Sequence, residues 1–116
     1  MIHYDNENGS VNVSTSVYTD IAGTAAANCF GVKGMAARSV SDGLYHLLRK
    51  ESMSKGVRVE FNDDNSITID LHIMVDNGVN LNAVGSSIIS EVRYVVRKCT
   101  DTEVRAVNVF IDSMNG

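Results

Sequence analysis

The stretch NCFGVKGMAAR, residues 28–38, gathers the side chains best suited to chemistry. A thiol, Cys29, precedes a pair of glycines, Gly31 and Gly34, which bracket Val32 and Lys33, and Arg38 follows. Three uses fit that spacing. Glycines can bare backbone amides to a phosphate, a cysteine at a loop mouth can serve as a nucleophile, and paired glycines can simply let the chain turn tightly.

The thiol reading is the weakest. Cys29 and Cys99 both fall near the C-terminal ends of expected helices, where the helix dipole opposes a thiolate. Each also continues an apolar stripe, so both read as buried structural thiols. Of the histidines, His3 lies near the start, His46 on the polar side of a helix, and His72 on the outer face of a strand beside Asp70 and Met74. Asp70 and His72 supply two ligands where a metal site takes three or four. Asp63-Asp64-Asn65 lacks the twelve-residue spacing and terminal Glu of a calcium loop and reads as a solvated turn. Paired carboxylates, a nucleophile elbow and nucleotide-binding fingerprints are missing from the sequence. The expectation is therefore no catalysis, no metal and no cofactor.

The elements that carry these residues follow from pattern. At 116 residues the chain is of single-domain size, with residues 1–9 read as a flexible tail and 10–113 as the domain. Val11 and Val13 alternate as a short strand. Val17, Ile21, Ala25 and Cys29 recur every four residues as a helix face, with Gly31 as its stop. Residues 39–42 resemble a capping box, and Val40, Leu44, Leu47 and Leu48 form the stripe of a second helix. Val57, Val59 and Phe61 alternate, as do Ile67, Ile69, Leu71, Ile73 and Val75. Both sets must face the core, so Phe61 should oppose Ile67, Val59 oppose Ile69, and Val57 oppose Leu71. That register leaves a three-residue loop with Asn65 left-handed and sets Arg58 across from Asp70. Asn80 is expected to cap a last helix with Val79 stapled to Val84, whose stripe is Val84, Ile88, Val92, Val95 and Cys99. The final strand, 103–111, turns Val107, Val109 and Ile111 inward, with Val104, Ala106 and Phe110 on its other face. The order β-α-α-β-β-α-β predicts an α+β two-layer sandwich, a mainly antiparallel sheet with helices on one face. Strand order is not encoded in such patterns.

Charge and hydropathy narrow the partners. The formal net charge is −4, which argues against bulk nucleic-acid binding, where neutralised phosphates supply the affinity. The first eight residues lack the basic start and apolar run of a signal peptide, and no apolar run approaches membrane-spanning length. A cytoplasmic protein is expected. A local basic strip of Lys33, Arg38, Arg49, Lys50 and Lys55 keeps one alternative open. Gly31-Val-Lys-Gly34 between two helices resembles the GxxG loop of a KH domain, which clamps single-stranded nucleic acid. Gly31, Lys33, Gly34 and Arg38 would then contact the anionic strand. The backbone reading is simpler: Gly31 stops one helix, and Gly34 lets the chain pass close to another element.

Over residues 11–111 the chain also resembles the alkaline shock protein family, the Gls-type envelope stress response proteins of Gram-positive bacteria. The resemblance is carried by Ile21-Ala22 and Ala25-Ala26, by Gly31-Val32-Lys33-Gly34-Met35, and by Lys55-Gly56-Val57-Arg58-Val59. It continues through Ile67-Thr68-Ile69-Asp70-Leu71, then Val75 and Gly78-Val79-Asn80, and ends at Val107-Asn108-Val109. Asn77 stands where the family often has Tyr, and Thr100-Asp101-Thr102 where it has a Thr-Gly turn. The resemblance implies a non-enzymatic protein of cell-envelope homeostasis that self-associates and is recruited to the inner face of the cell membrane by a membrane-anchored protein partner. On the residues themselves, Met74, Ala106 and Phe110 form an apolar outer patch suited to such contact. The same patch could instead shelter under the N-terminal segment, where Ile2 and Tyr4 alternate.

Overall fold

The computed structural model describes residues 2–35 and 56–115. Two strands, β1 (Ile2–Asn6) and β2 (Gly9–Val13), form an antiparallel hairpin and lead into helix α1 (Thr15–Ala27). Strand β3 (Val32–Met35) follows, and after residues 36–55 come β4 (Val57–Phe61) and β5 (Ser66–Asp76). Helix α2 (Leu81–Thr100) and β6 (Glu103–Asn115) complete the chain. This is an α+β fold. The helix expected from Val40 to Leu48, together with Arg38, Arg49, Lys50 and Lys55, lies outside the described residues.

Strand β5 is the centre of the larger sheet. Along its whole length it pairs in parallel with β6, from Ser66 opposite Glu103 to Asp76 opposite Asn115. Its other edge is shared. Antiparallel β4 takes the first half, Phe61 opposite Ile67 through Val57 opposite Leu71, and antiparallel β3 takes the second, Met35 opposite Ile73 and Val32 opposite Val75. The His72 amide donates to the Gly56 carbonyl and the Asp76 amide to the Gly31 carbonyl, so the β5 edge is bonded across the join. β3 and β4 are thus two pieces of one edge line, interrupted by residues 36–55.

The β4–β5 register agrees pair for pair with the expected one, Arg58 opposite Asp70 included. Asn65 adopts φ 67°, and the loop closes through the Asn62 amide on the Ser66 carbonyl at 2.9 Å. Among the described residues three pairings, β1–β2, β3–β5 and β4–β5, are antiparallel, in line with the mainly antiparallel expectation, and the long β5–β6 pairing is the parallel one.

Ile67, Ile69, Leu71, Ile73 and Val75 are fully buried on one face of β5. Both helices cover that face, α1 over β3 and β4, α2 over β6, and they touch each other above β5. Ala22, Ala25 and Ala26 lie at the α1 contact, which keeps the helix close. The buried stripe of α1 is Tyr18, Ala22, Ala25 and Ala26, not the one begun by Val17, which is exposed. In α2 the stripe is Val84, Ile88, Val92 and Val96; Val95 is half-buried and Cys99 exposed. Choosing Val95 over Val96 rotates the face by one residue, and only the neighbouring elements decide which valine meets the sheet. Asn80 caps α2 as expected, its Oδ1 accepting from the Ala83 amide at 3.0 Å.

Two bulges reset β6. The register steps past Arg105 between Ile67 and Thr68, and past Asp112 between Ile73 and Met74. The first bulge corrects one expectation. Val104 faces the core with Val107, rather than the outer face with Ala106 and Phe110, because the extra residue shifts the side-chain alternation.

The N-terminal segment, read as a tail, instead folds back on itself through the Glu7-Asn8 turn. Tyr4 ties the hairpin to the body: its hydroxyl lies 2.6 Å from Thr102 Oγ1, and the buried Tyr18 hydroxyl lies 2.7 Å from the same atom. Thr102 in turn donates to the Thr100 carbonyl at 3.4 Å, so its hydroxyl can accept from both tyrosines. Burial pushes the Tyr18 phenol above its ordinary pKa, which keeps it a neutral donor. The Tyr18 ring packs edge-on against Phe61, with centroids 5.9 Å apart. Changing Thr102 to Val keeps the shape but strips both phenols of their partner. Urea unfolding should show a loss of roughly 1–3 kcal/mol, the range for a buried polar group left unpaired. An unchanged midpoint would contradict this reading of the junction.

Candidate functional site

The twin glycines do not form a corner between two helices. Helix α1 ends at Ala27, Asn28 to Phe30 turn, and Gly31 leads directly into β3. Gly31 has φ +90°, and a Cβ there would sit 3.1 Å from Val84 Cγ2 and 3.3 Å from Val79 Cγ1. It is needed both for its backbone conformation and for the close approach of the turn to the start of α2. Gly34 behaves differently. Its φ is not positive, and a Cβ would meet nothing within 4 Å, so among the described residues it makes no close passage of the kind expected. Lys33 sits at a register shift of β3, and its ammonium lies 3.6 Å from Asp76 Oδ1. Among the described residues the glycine stretch runs into a strand paired to β5 rather than an open loop, and nothing in that geometry favours a nucleic-acid clamp. Arg38, the fourth member of that set, lies outside the described residues.

Cys29 is half-buried beside α1, its Sγ 3.4 Å from the Ala25 carbonyl. Burial first, then the nearby Glu91 carboxylate, holds its pKa above the ordinary thiol value. A raised pKa means less thiolate at neutral pH, so the site is poorly suited to nucleophilic work.

The outer face of the sheet, opposite the helices, carries the other expected residues. His72 and Phe110 are opposite each other in the β5–β6 ladder, and their rings stack with centroids 4.7 Å apart and planes 14° apart. His72 Nδ1 lies 3.0 Å from Asp112 Oδ2, a contact made possible by the second bulge. Its side chain is 14% exposed beneath Phe110, which is itself 45% exposed. One row along, the Asn108 amide donates to Asp70 Oδ1 at 2.9 Å. Asp70 therefore engages Asn108, and His72 engages Asp112, rather than the two serving one another. No group of three or more His, Cys, Asp or Glu side chains able to hold a metal is present among the described residues.

Met74, Ala106 and Phe110 all lie on this outer face, with Ala106 set apart from Phe110. Ala106 is opposite Thr68, and the polar Asn108–Asp70 row separates it from Phe110. Met74 lies opposite Ser113, one row beyond His72 on the outer face. The N-terminal hairpin is tied at Thr102 through Tyr4, and Phe110 stays open to solvent.

One exposed residue escaped the sequence reading although it lies inside the opening stretch. Phe30 is 88% exposed and lines an open groove of about 530 Å³ with Val79, Ala83, Val84 and the 76–80 turn. A large aromatic between a helix end and a positive-φ glycine was the available signal.

With this geometry in place, comparison with known proteins gives a consistent answer. A family model for the alkaline shock protein 23 family, described as having a cell envelope-related function, matches residues 3–115. Among the relatives is the uncharacterized protein YloU of Bacillus subtilis, 34% identical over 107 residues, covering 91% of this chain and 88% of that one. Another is the uncharacterized protein YqhY of the same organism, 32% identical over 111 residues, covering 96% and 81%. A third, the uncharacterized protein Spy1614 of Streptococcus pyogenes, is 29% identical over 114 residues, covering 97% and 93%. No solved structure matches. The chain belongs to the alkaline shock protein 23 family.

Two measurements check the site. Gly31→Ala should lose roughly 1–3 kcal/mol, combining a left-handed backbone with crowding of Val79 and Val84. Gly34→Ala should stay within about 0.5 kcal/mol of the parent, since it adds a methyl to open space. Equal losses would contradict the distinction. In thiol labelling of the native fold at pH 8, exposed Cys99 should react at least about tenfold faster than Cys29, whose thiolate is suppressed. Faster labelling of Cys29 would revive the nucleophile.

Proposed function

We propose that this protein is a non-enzymatic component of cell-envelope homeostasis, acting by self-association and by binding a membrane-anchored protein partner at the inner face of the cell membrane. The envelope link rests on family membership. The mode of action rests chiefly on one observation: Phe110, a large aromatic on the sheet face opposite the helices, is 45% exposed. An open aromatic backed by a stacked histidine is a ready anchor for a protein contact, because it buries area with few rotamers to freeze. The residues with chemical potential point the same way. Cys29 has its thiolate suppressed, and His72 is committed to Asp112 and shielded by Phe110.

No helix among the described residues is long and apolar enough to cross a membrane. In this reading the attachment comes from the partner. Two assays test it. Sedimentation of the wild-type chain across a concentration series should reveal reversible association. Phe110→Asp should weaken that association by at least about tenfold, since burying a charge in place of an aromatic forfeits more than 1.4 kcal/mol. Identical monomers for both would contradict self-association at this face. Wild-type chain should also co-sediment with native membranes and lose that binding when the membranes are stripped with protease. Equal binding to protein-free vesicles would contradict a protein anchor.

A further inference from the structure

We propose that β6 joins two copies of the chain into one continuous sheet, residues 106–110 pairing antiparallel with the same run of the second copy about a two-fold axis at Asn108. This rests on the self-association proposed above and assigns its geometry.

The starting point is an unpaired edge. Strand β6 is 13 residues long and bonds to β5 on one side only; among the described residues no strand occupies its other side. Such an edge is a template for another strand unless something blunts it. Here the blunting is local. The register bulges at Arg105 and at Asp112, and the Arg93 guanidinium donates to the Arg105 carbonyl at 3.5 Å. Between the two bulges, Ala106-Val107-Asn108-Val109-Phe110-Ile111 has no charge, no proline and no bulge. The run alternates β-branched residues with Asn and Phe, a pattern that favours strand pairing.

The residues also select the partner. A second copy laid antiparallel about Asn108 sets Arg105 opposite Ile111 of its mate, one residue short of Asp112, which also contacts His72 of its own chain, and does so twice. Parallel pairing would instead align Arg105 with Arg105 and Asp112 with Asp112. Antiparallel strands can register only in steps of two if each face is to keep its own side. Centring on Asn108 sets Phe110 against Ala106 of the second copy, Val107 against Val109, and the two Asn108 amides together. Large meets small on the outer face, and valine meets valine on the inner one. Sliding the centre to Val109 sets Phe110 against Asn108 and Ala106 against Asp112, which mismatches apolar with polar. The favoured register thereby joins the two apolar residues that the Asn108–Asp70 row holds apart within one chain.

Directly opposed residues of an antiparallel pair have Cα atoms about 4.5–5.5 Å apart, inside the window for a disulfide. The test uses the full chain with Cys29→Ala and Cys99→Ser, its fold checked by an unchanged thermal midpoint. Asn108→Cys, Val109→Cys and, as a control on exposed β4, Glu60→Cys are each added singly and oxidised with copper phenanthroline at dilute protein. Asn108→Cys is expected to give at least about fivefold more disulfide dimer than either of the others, because only its opposed pair meets the geometric window on an accessible face. Preferential linking at Val109, or yields at Asn108 no higher than at Glu60, would overturn the proposal. If the unsubstituted chain still sediments as a multimer in that case, only the edge geometry has failed. If it sediments as a monomer throughout, the self-association reading has failed with it.

Discussion

The fold hangs on the saturation of one strand. All five inward side chains of β5 are fully buried, and both of its edges carry hydrogen-bonded partners. A strand so enclosed has no freedom to slip, since a shift of one residue would drive five large apolar groups to the outer face. Burying them is worth roughly 1.5–3 kcal/mol each before chain entropy is counted. Every other element is placed by reference to it: β3 and β4 end to end on one side, β6 on the other, and the two helices above.

That arrangement decides which surfaces remain. The inner face is consumed by α1 and α2, and the line β3–β4 is broken by residues 36–55. Among the described residues the outer face and the far edges of β3, β4 and β6 are left, and the outer face meets the β6 edge along the side chains of Ala106, Asn108 and Phe110. The polar groups on that face are largely matched within the chain, Asn108 with Asp70 and His72 with Asp112. Among the described residues, what is unmatched there is apolar area at Phe110 and backbone at the β6 edge. The family's described role is cell envelope-related.

Much of this was legible in the sequence where a single local rule fixed the outcome. Alternation over Val57–Phe61 and Ser66–Asp76 determined the hairpin register pair by pair and placed Asn65 in its turn, while the capping residue ahead of the Val84 stripe placed Asn80. The resemblance to the family was likewise visible in short segments spread along the chain. Legibility failed where the answer depended on neighbours. The four residues of β3, two of them Lys and Gly, carry too little pattern to announce a strand, so Gly31–Gly34 read as a corner. Parallel pairing of β6 depends on the path of α2, not on the composition of β6. The bulge at Arg105 reverses a side-chain alternation that sequence pattern assumes to be unbroken, which turned Val104 inward. At the site, Phe110 was recognised, but its stacking on His72 and its separation from Ala106 come from the ladder alone.

Amide hydrogen exchange on the unmodified chain, compared at dilute and at high concentration, tests the central claim most directly. A spine of β5 with an available β6 edge predicts slow exchange along 66–76 at both concentrations, and new protection at every second amide of 106–110 only in the concentrated sample. Protection of 106–110 that ignores concentration, or β5 amides exchanging as fast as those of the N-terminal hairpin, would contradict the account.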